Sequence, residues 1–204
     1  MSRRLLLATR ARHKVAELRE LLELADVELV TPDEVGVAGE PVEDAETFEG
    51  NAEIKARYYA ERSGLPTLAD DSGLEVDALA GRPGVMTRRY AGDDPTDEEN
   101  NAKLLRELEG LPPERRGARY QCVLAFVDPG AGPAPVIRAG DFEGRIATGP
   151  RGTGGFGYDP IFEPESEPPG GRTVGQMSAQ EKHALSHRGK AARAMAAYLR
   201  GEGW

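Results

Sequence analysis

The chain has 204 residues and a mass of 22.0 kDa, enough for one well-buried core and too short to require two independent domains. Apolar residues make up 39% and charged residues 30%, which argues against a disordered chain, and no apolar stretch reaches the length of a membrane span. A formal charge of −9 argues against general binding to nucleic acid backbones, which favour basic surfaces.

Met1-Ser2-Arg3-Arg4 followed by Leu5-Leu6-Leu7-Ala8 has the charge order of a signal peptide. The apolar run ends too soon for one, at Thr9-Arg10, and reads better as a first strand over 5–9. From His13 to Ala25 the apolar positions Val15, Leu18, Leu22 and Ala25 share one helical face, and a strand running into a helix opens an α/β fold. Residues 27–30 form a second short strand stopped by Thr31-Pro32-Asp33, and the acidic segment 40–46 is a loop. Phe48, Ala52, Ala56 and Tyr59 mark the inner stripe of a helix to about Arg62, with Gly64 just past its end.

The next run, Leu65 to Ala69, meets Asp70-Asp71-Ser72-Gly73. The spacing predicts a strand end breaking into a turn, and two readings stand: an ordinary Asp/Ser/Gly turn, or a pair of carboxylates held at a metal site. Side chains alternate along a strand, so one aspartate can face a ligand while its neighbour faces the scaffold. Residues 74–77 alternate like an exposed strand, 81–84 are a turn, and 97–108 read as a helix with Thr96 as N-cap. Residues 120–127 are a strong strand carrying the single cysteine, Cys122, which excludes an intrachain disulfide framework and suits a reducing, cytoplasmic setting. A Gly/Pro loop over 128–135 then leads to strands over 136–139 and 142–147, and the last helix is expected from about Gly189 to Arg200.

Charge is unevenly distributed. Residues 3–19 hold six Lys/Arg against Glu17 alone, residues 28–53 hold nine acids and no base, and 172–193 turn basic with two of the three histidines. A fold uniting these segments would set cations beside carboxylates, as a phosphorylated substrate with a divalent metal requires; otherwise they are solvated faces of separate helices.

Thr9-Arg10-Ala11-Arg12-His13-Lys14 lies between the first strand and helix, where free N–H groups and the helix dipole can hold phosphate. It is not a P-loop, and the bland alternative is a capped helix start with solvated basic residues. Gly152 to Gly157 spells G-x-G-x-x-G, but Tyr158-Asp159-Pro160 follows and forbids the helix that a dinucleotide fingerprint must open. A glycine loop presenting Phe156 and Tyr158 can stack on a flat heterocycle, or both rings can plug the core. Ser178 to Glu181 has capping-box spacing, and Ser186-His187-Arg188-Gly189 reads as a second break. His183 and His187 lack a third zinc ligand at a recognisable spacing, whereas Lys182, His187 and Arg188 suit phosphate and base oxygens.

Together these blocks resemble the Ham1-like inosine triphosphate pyrophosphatases, which remove non-canonical purine nucleoside triphosphates. The matching segments are Ala8-Thr9 with Lys14, Thr47-Phe48-Glu49 with Asn51-Ala52, 68–73, 81–85 with Arg89-Tyr90, 154–162 and 186–189. The resemblance implies an elongated α/β fold: a single domain over 1–204 with a long mixed sheet flanked by helices, two lobes around a cleft, and usually a homodimer. It implies hydrolysis of ITP, dITP and XTP to monophosphate and pyrophosphate, with Mg²⁺ as cofactor and a purine nucleoside triphosphate as partner. Carried residue by residue, phosphate binding falls to Thr9, Arg10, Ala11, Arg12, His13 and Lys14. Asp71 falls to metal-assisted activation of water, Glu43 to a second carboxylate near the metal, and Ser72 to substrate contact. Phe156, Gly157, Tyr158 and Asp159 would hold the base, with Lys182, His187 and Arg188 completing the contacts.

The first motif departs from the family's Thr-x-Asn-x-Gly-Lys, because Ala11 and His13 replace Asn and Gly. The Asn contact is therefore lost or taken over by Arg10, Arg12 or water. Glu40, Asp44 and Glu46 compete with Glu43 for the second carboxylate. Two alternatives follow: a catalytically weakened nucleotide-binding module, and a broader pyrophosphatase acting on canonical nucleotides.

Overall fold

Leu5, Leu6 and Leu7 are fully buried, and the strand they form, β1 (Arg3–Leu7), is flanked on both sides by parallel neighbours. Each fully buried leucine contributes about 1.5–3 kcal/mol relative to exposure. The structure, a computed structural model, describes residues 3–132 and 134–204. Met1 and Ser2 of the expected N-terminal segment and Pro133 of the expected loop lie outside the described residues.

In chain order β1 is followed by α1 (Arg12–Leu22), β2 (Val27–Val30), α2 (Phe48–Ser63), β3 (Thr67–Val76), α3 (Asp97–Glu107), β4 (Gly117–Val127), β5 (Val136–Ile146), β6 (Phe162–Pro164), α4 (Ala179–Leu185) and α5 (His187–Gly201). The strands make one six-stranded mixed sheet in the order β2-β1-β3-β4-β5-β6, with β1 parallel to β2 and β3, and β5 antiparallel to β6.

The expected helices form where their caps lie. Thr47 accepts from the Gly50 N–H at the start of α2, Gly64 closes it at φ 67°, and Thr96 with Glu99 makes a reciprocal capping box on α3. Ser178 and Glu181 make the same box on α4. The Ser178 backbone N–H, then Arg172, draws the exposed Glu181 carboxyl down to about 2. Its support of α4 is therefore complete above its ordinary value of 4.5 and fades as pH falls towards about 2. Carboxyl chemical shifts followed by NMR should show that low midpoint for Glu181, and a midpoint near 4.5 would remove this contribution.

Three expectations change. Strand β3 runs unbroken through Asp70-Asp71-Ser72-Gly73, because sheet pairing satisfies the backbone and overrides the turn preference of those residues. Residues 136–139 and 142–147 are not two strands: β5 is continuous from Val136 to Ile146. Helix α5 begins at His187 rather than Gly189, the break before it being Ser186 alone in extended conformation. The three-residue β6 was not anticipated.

The chain divides into two compact units. One comprises Met1–Asp71, Cys122–Gly140 and Arg188–Trp204, with a core of Leu5, Leu7, Leu18, Leu68 and Leu124 against Ala192, Met195 and Leu199 of α5. The other comprises Ser72–Gln121 and Asp141–His187, with a core of Leu74, Val76, Leu104, Tyr120, Phe142 and Phe162.

Candidate active site

In the first unit, the pleat of β3 sends its two aspartates to different surroundings. Asp70 is 1% exposed and takes Arg188 Nε at 2.8 Å on Oδ2, Lys14 on Oδ1, and the Cys122 thiol at 3.2 Å. Burial alone would raise its carboxyl, but Arg188 and Lys14 hold it well below the usual carboxylate range. Arg188 is itself 1% exposed and also pairs with Glu17 of α1. Its guanidinium is thus paired with two carboxylates, through Nε and Nη1. Asp70 likewise neither makes a turn nor stands open to a metal; it anchors two cations.

Asp71 is half-buried and accepts from Lys55 Nζ at 2.8 Å, and Glu43 accepts from the same ammonium at 2.8 Å. Burial raises the Asp71 carboxyl above its ordinary value, with Lys55 opposing. Burial pulls Lys55 down, yet the Asp71 and Glu43 carboxylates raise it overall. Glu43 reaches this point because the loop that carries it is tied down. Asn51 of α2 accepts from the Ala45 N–H at 3.0 Å and donates to the Ala45 carbonyl at 3.2 Å. Arg10 braces the same segment upstream, donating to Asp33 at 2.9 Å, Glu40 at 3.2 Å, the Tyr59 hydroxyl at 2.8 Å, and the Val37 and Gly39 carbonyls at 2.7 and 2.9 Å. The Arg10 charge is therefore placed against the acidic loop rather than held for the contact that Ala11 lacks.

Helix α1 begins without a side-chain cap. Ala11 is the N-cap residue, Thr9 Oγ1 accepts from the Ala11 N–H at 3.2 Å, and the first turn carries Arg12, His13 and Lys14 with no acid. Cations at the positive end of a helix dipole are unfavourable by themselves and favourable once an anion docks. Arg12 and His13 are exposed. Although His13 is exposed over much of its surface, partial desolvation of its imidazole, then Arg188 and Lys14, lowers it below its ordinary value. Residues from each of the three charge segments thus lie in this one unit: Lys14 and Arg188 around Asp70, Arg10 against Asp33 and Glu40.

In the second unit, Asp159 is buried and organises the glycine loop. Its Oδ2 accepts from the Phe156 N–H at 2.9 Å and from Lys182 Nζ at 2.7 Å, and its Oδ1 accepts from the Tyr120 hydroxyl at 3.3 Å. Any Cβ at Gly155 would stand 2.1 Å from Asp159 Oδ2, at a φ of 76°, so only glycine fits this turn. The Lys182 ammonium lies 3.7 Å from the Phe156 ring centroid. His187 stacks on Tyr120 at 4.8 Å with an interplanar angle of 6°. The Tyr158 hydroxyl donates to the Thr87 carbonyl at 2.8 Å, so this ring belongs to the core and Phe156, half-buried, is the ring left to the loop surface. Ser72, at the end of the Asp pair, is half-buried.

The sequence profile of the Ham1 family matches residues 5–198. The chain belongs to the Ham1 family. A dITP/XTP pyrophosphatase of Yersinia pseudotuberculosis is 45% identical over 197 residues, 97% of this chain and 98% of that protein. The solved structure of a HAM1 protein from Coxiella burnetii superposes with a TM-score of 0.89 at 42% identity, covering 98% and 99% of the two chains. A nucleoside-triphosphatase / dITP/XTP pyrophosphatase from Mycobacterium abscessus gives 0.76 at 44% identity, covering 96% and 98%.

Set against this Ham1 membership, sequence reasoning passed over Lys55, Asn51 and Glu17. Lys55 was detectable: it is a lysine beside the apolar stripe of α2, 8% exposed, next in sequence to a buried alanine. The Glu17 role depends on a contact with Arg188, 171 positions away, which no local pattern encodes, whereas Asn51 meets Ala45 only six residues upstream.

The site also offers hard oxygen donors of the kind Mg²⁺ takes. Two carboxylates, Asp71 and Glu43, converge on one cationic point, and among the described residues no group of three or more His, Cys, Asp or Glu could hold a metal ion. Mg²⁺ is commonly held by one or two carboxylates plus substrate phosphates and waters, so the Asp71–Glu43 pair fits that ion as a partial shell.

Proposed function

We propose that this Ham1 protein hydrolyses ITP, dITP and XTP between the α and β phosphates, giving the monophosphate and pyrophosphate in a Mg²⁺-dependent reaction that clears the nucleotide pool. The observation that carries this reading is the convergence of Asp71 and Glu43 on Lys55 in a chain whose relatives, matched over nearly their whole length, are named dITP/XTP pyrophosphatases. Bound Mg²⁺ would neutralise phosphate charge and acidify a water molecule. Asp71, raised by burial, takes the proton of the attacking water, and Glu43 is the second carboxylate for the cation. Lys55 holds the two carboxylates in register. Lys14 and the backbone N–H groups in the first turn of α1 hold the phosphates, with Arg12 and His13 adding donors.

Base recognition falls to the second unit. Phe156 stacks on the purine, while Lys182 and His187 supply donors that match a 6-oxo group and leave the 6-amino group of adenine mispaired. Arg188 holds Asp70, which in turn holds Lys14. A homodimer in the cytoplasm completes the proposal and rests on the family resemblance.

Incubation with ITP and Mg²⁺ should release IMP and pyrophosphate, read by anion-exchange chromatography. Orthophosphate as the first product overturns the reaction. Tight ITP binding without turnover would instead mark a nucleotide-binding module, and equal turnover of the standard nucleotides would mark a broader pyrophosphatase.

A further inference from the structure

Resting on this reading, we infer that Asp97 and Asn101 of α3 are positioning residues that set base selectivity by gripping the Gly157 peptide from both sides. Asp97 Oδ2 accepts from the Gly157 N–H at 2.6 Å, and Asn101 Nδ2 donates to the Gly157 carbonyl at 3.1 Å. The two side chains are four residues apart and so share one face of α3. The Asn101 Oδ1 atom is buried and has no hydrogen-bond partner among the described residues. Its amide is thus oriented by Gly157 alone, and that orientation is kept although it strands a buried acceptor.

Gly157 follows the ring assigned to the base. Its φ is 60°, and a Cβ there would meet nothing within 4 Å, so the residue is glycine for its backbone conformation and not for space. Its N–H is taken by Asp97 and its carbonyl accepts from Asn101, both on α3. Gly157 acts through where it puts Phe156. On the other side of Phe156, its own N–H is fixed by Asp159. The ring is therefore held by one anchor before it and a double anchor after it. The second anchor belongs to a helix that is capped independently by Thr96 and Glu99 and rooted in the core by the buried Leu104. A ring that must stack on a purine while donors read its 6-position has to be placed to a fraction of an ångström, since a misplacement near 1 Å can lower a rate about 100-fold.

The test compares wild type with Asp97→Ala, Asp97→Asn, Asn101→Ala and Asn101→Asp. Asp97→Asn keeps an oxygen acceptor for the Gly157 N–H, and Asn101→Asp keeps the shape but turns a carboxylate towards a carbonyl, so both remain usable if an alanine variant fails to fold. The readouts are kcat and KM for ITP and for ATP, and amide exchange at Gly157 followed by NMR. We expect Asp97→Ala and Asn101→Asp to lower the ITP-over-ATP ratio of kcat/KM roughly 10- to 100-fold, chiefly through KM for ITP, and to speed Gly157 exchange. Asp97→Asn should stay near wild type in both. Parallel losses on ITP and ATP with an unchanged ratio would reduce α3 to a structural support and overturn the inference. Fast Gly157 exchange in the wild type overturns the grip itself. A wild type that releases no pyrophosphate from ITP overturns the functional reading, and the selectivity role with it, whatever the exchange rates show.

Discussion

Asp71→Asn is expected to lower kcat for ITP by roughly 10²- to 10⁴-fold in a protein that still folds. Asparagine keeps the shape of the side chain and an oxygen for Lys55, but it cannot take a proton and is a far weaker ligand for a cation. The stability cost is bounded because Lys55 retains Glu43 at 2.8 Å; loss of one charge-assisted hydrogen bond is worth about 1.5–3 kcal/mol. Pyrophosphate release, measured alongside a thermal melt, separates the two effects. Near-normal kcat in a folded variant would remove Asp71 from the chemistry and move attention to Glu43.

The neighbouring substitution should fail in the opposite way. Asp70→Ala is expected to destabilise the protein by about 3–5 kcal/mol, because it leaves the buried Arg188 guanidinium short of a counter-charge. Arg188 is 1% exposed and would keep only Glu17 as its carboxylate partner among the ion pairs described. Lys14, which also pairs with Asp70, would lose that anchor. Urea titration should show the midpoint falling at constant m-value. Adding Arg188→Met removes the under-compensated charge and should recover part of the loss, so that the two changes are less than additive. A double variant as unstable as the sum of the single ones would show that Asp70 and Arg188 are not coupled.

Much of the architecture was legible because it is written in local chemistry. Three leucines before a basic turn, the Thr96 N-cap, the Ser178 box and Gly64 past α2 are signals whose cause lies within a few residues. The misread places are those where pairing with distant strands decides. Asp70-Asp71-Ser72-Gly73 has the composition of a turn and becomes mid-strand because its backbone is paired in the sheet. Gly140 and Asp141 read as a gap between strands and are carried through β5 for the same reason.

The candidate site divides in the same way. Residue types were legible: carboxylates, cations, glycines and a ring. Their partners were not, since Arg188 meets Asp70 across 118 positions of sequence and Asn101 meets Gly157 across 56. Arg10 and Arg188 show the consequence most clearly. Sequence can mark an arginine as available for an anion, but only the fold reveals whether carboxylates of the same chain have already taken it.

The unbroken path of β3 through the aspartate pair makes chemistry depend on parity. Moving one residue along the strand exchanges the two faces of the sheet, so a single insertion between Thr67 and Asp70 would carry the anchoring carboxylate to the place from which Asp71 meets Lys55, whereas a single deletion would carry Asp71 to the place beside Arg188. The insertion would leave Ala69 beside Arg188 and cost stability, and the deletion would leave Ser72 facing Lys55 and cost the reaction.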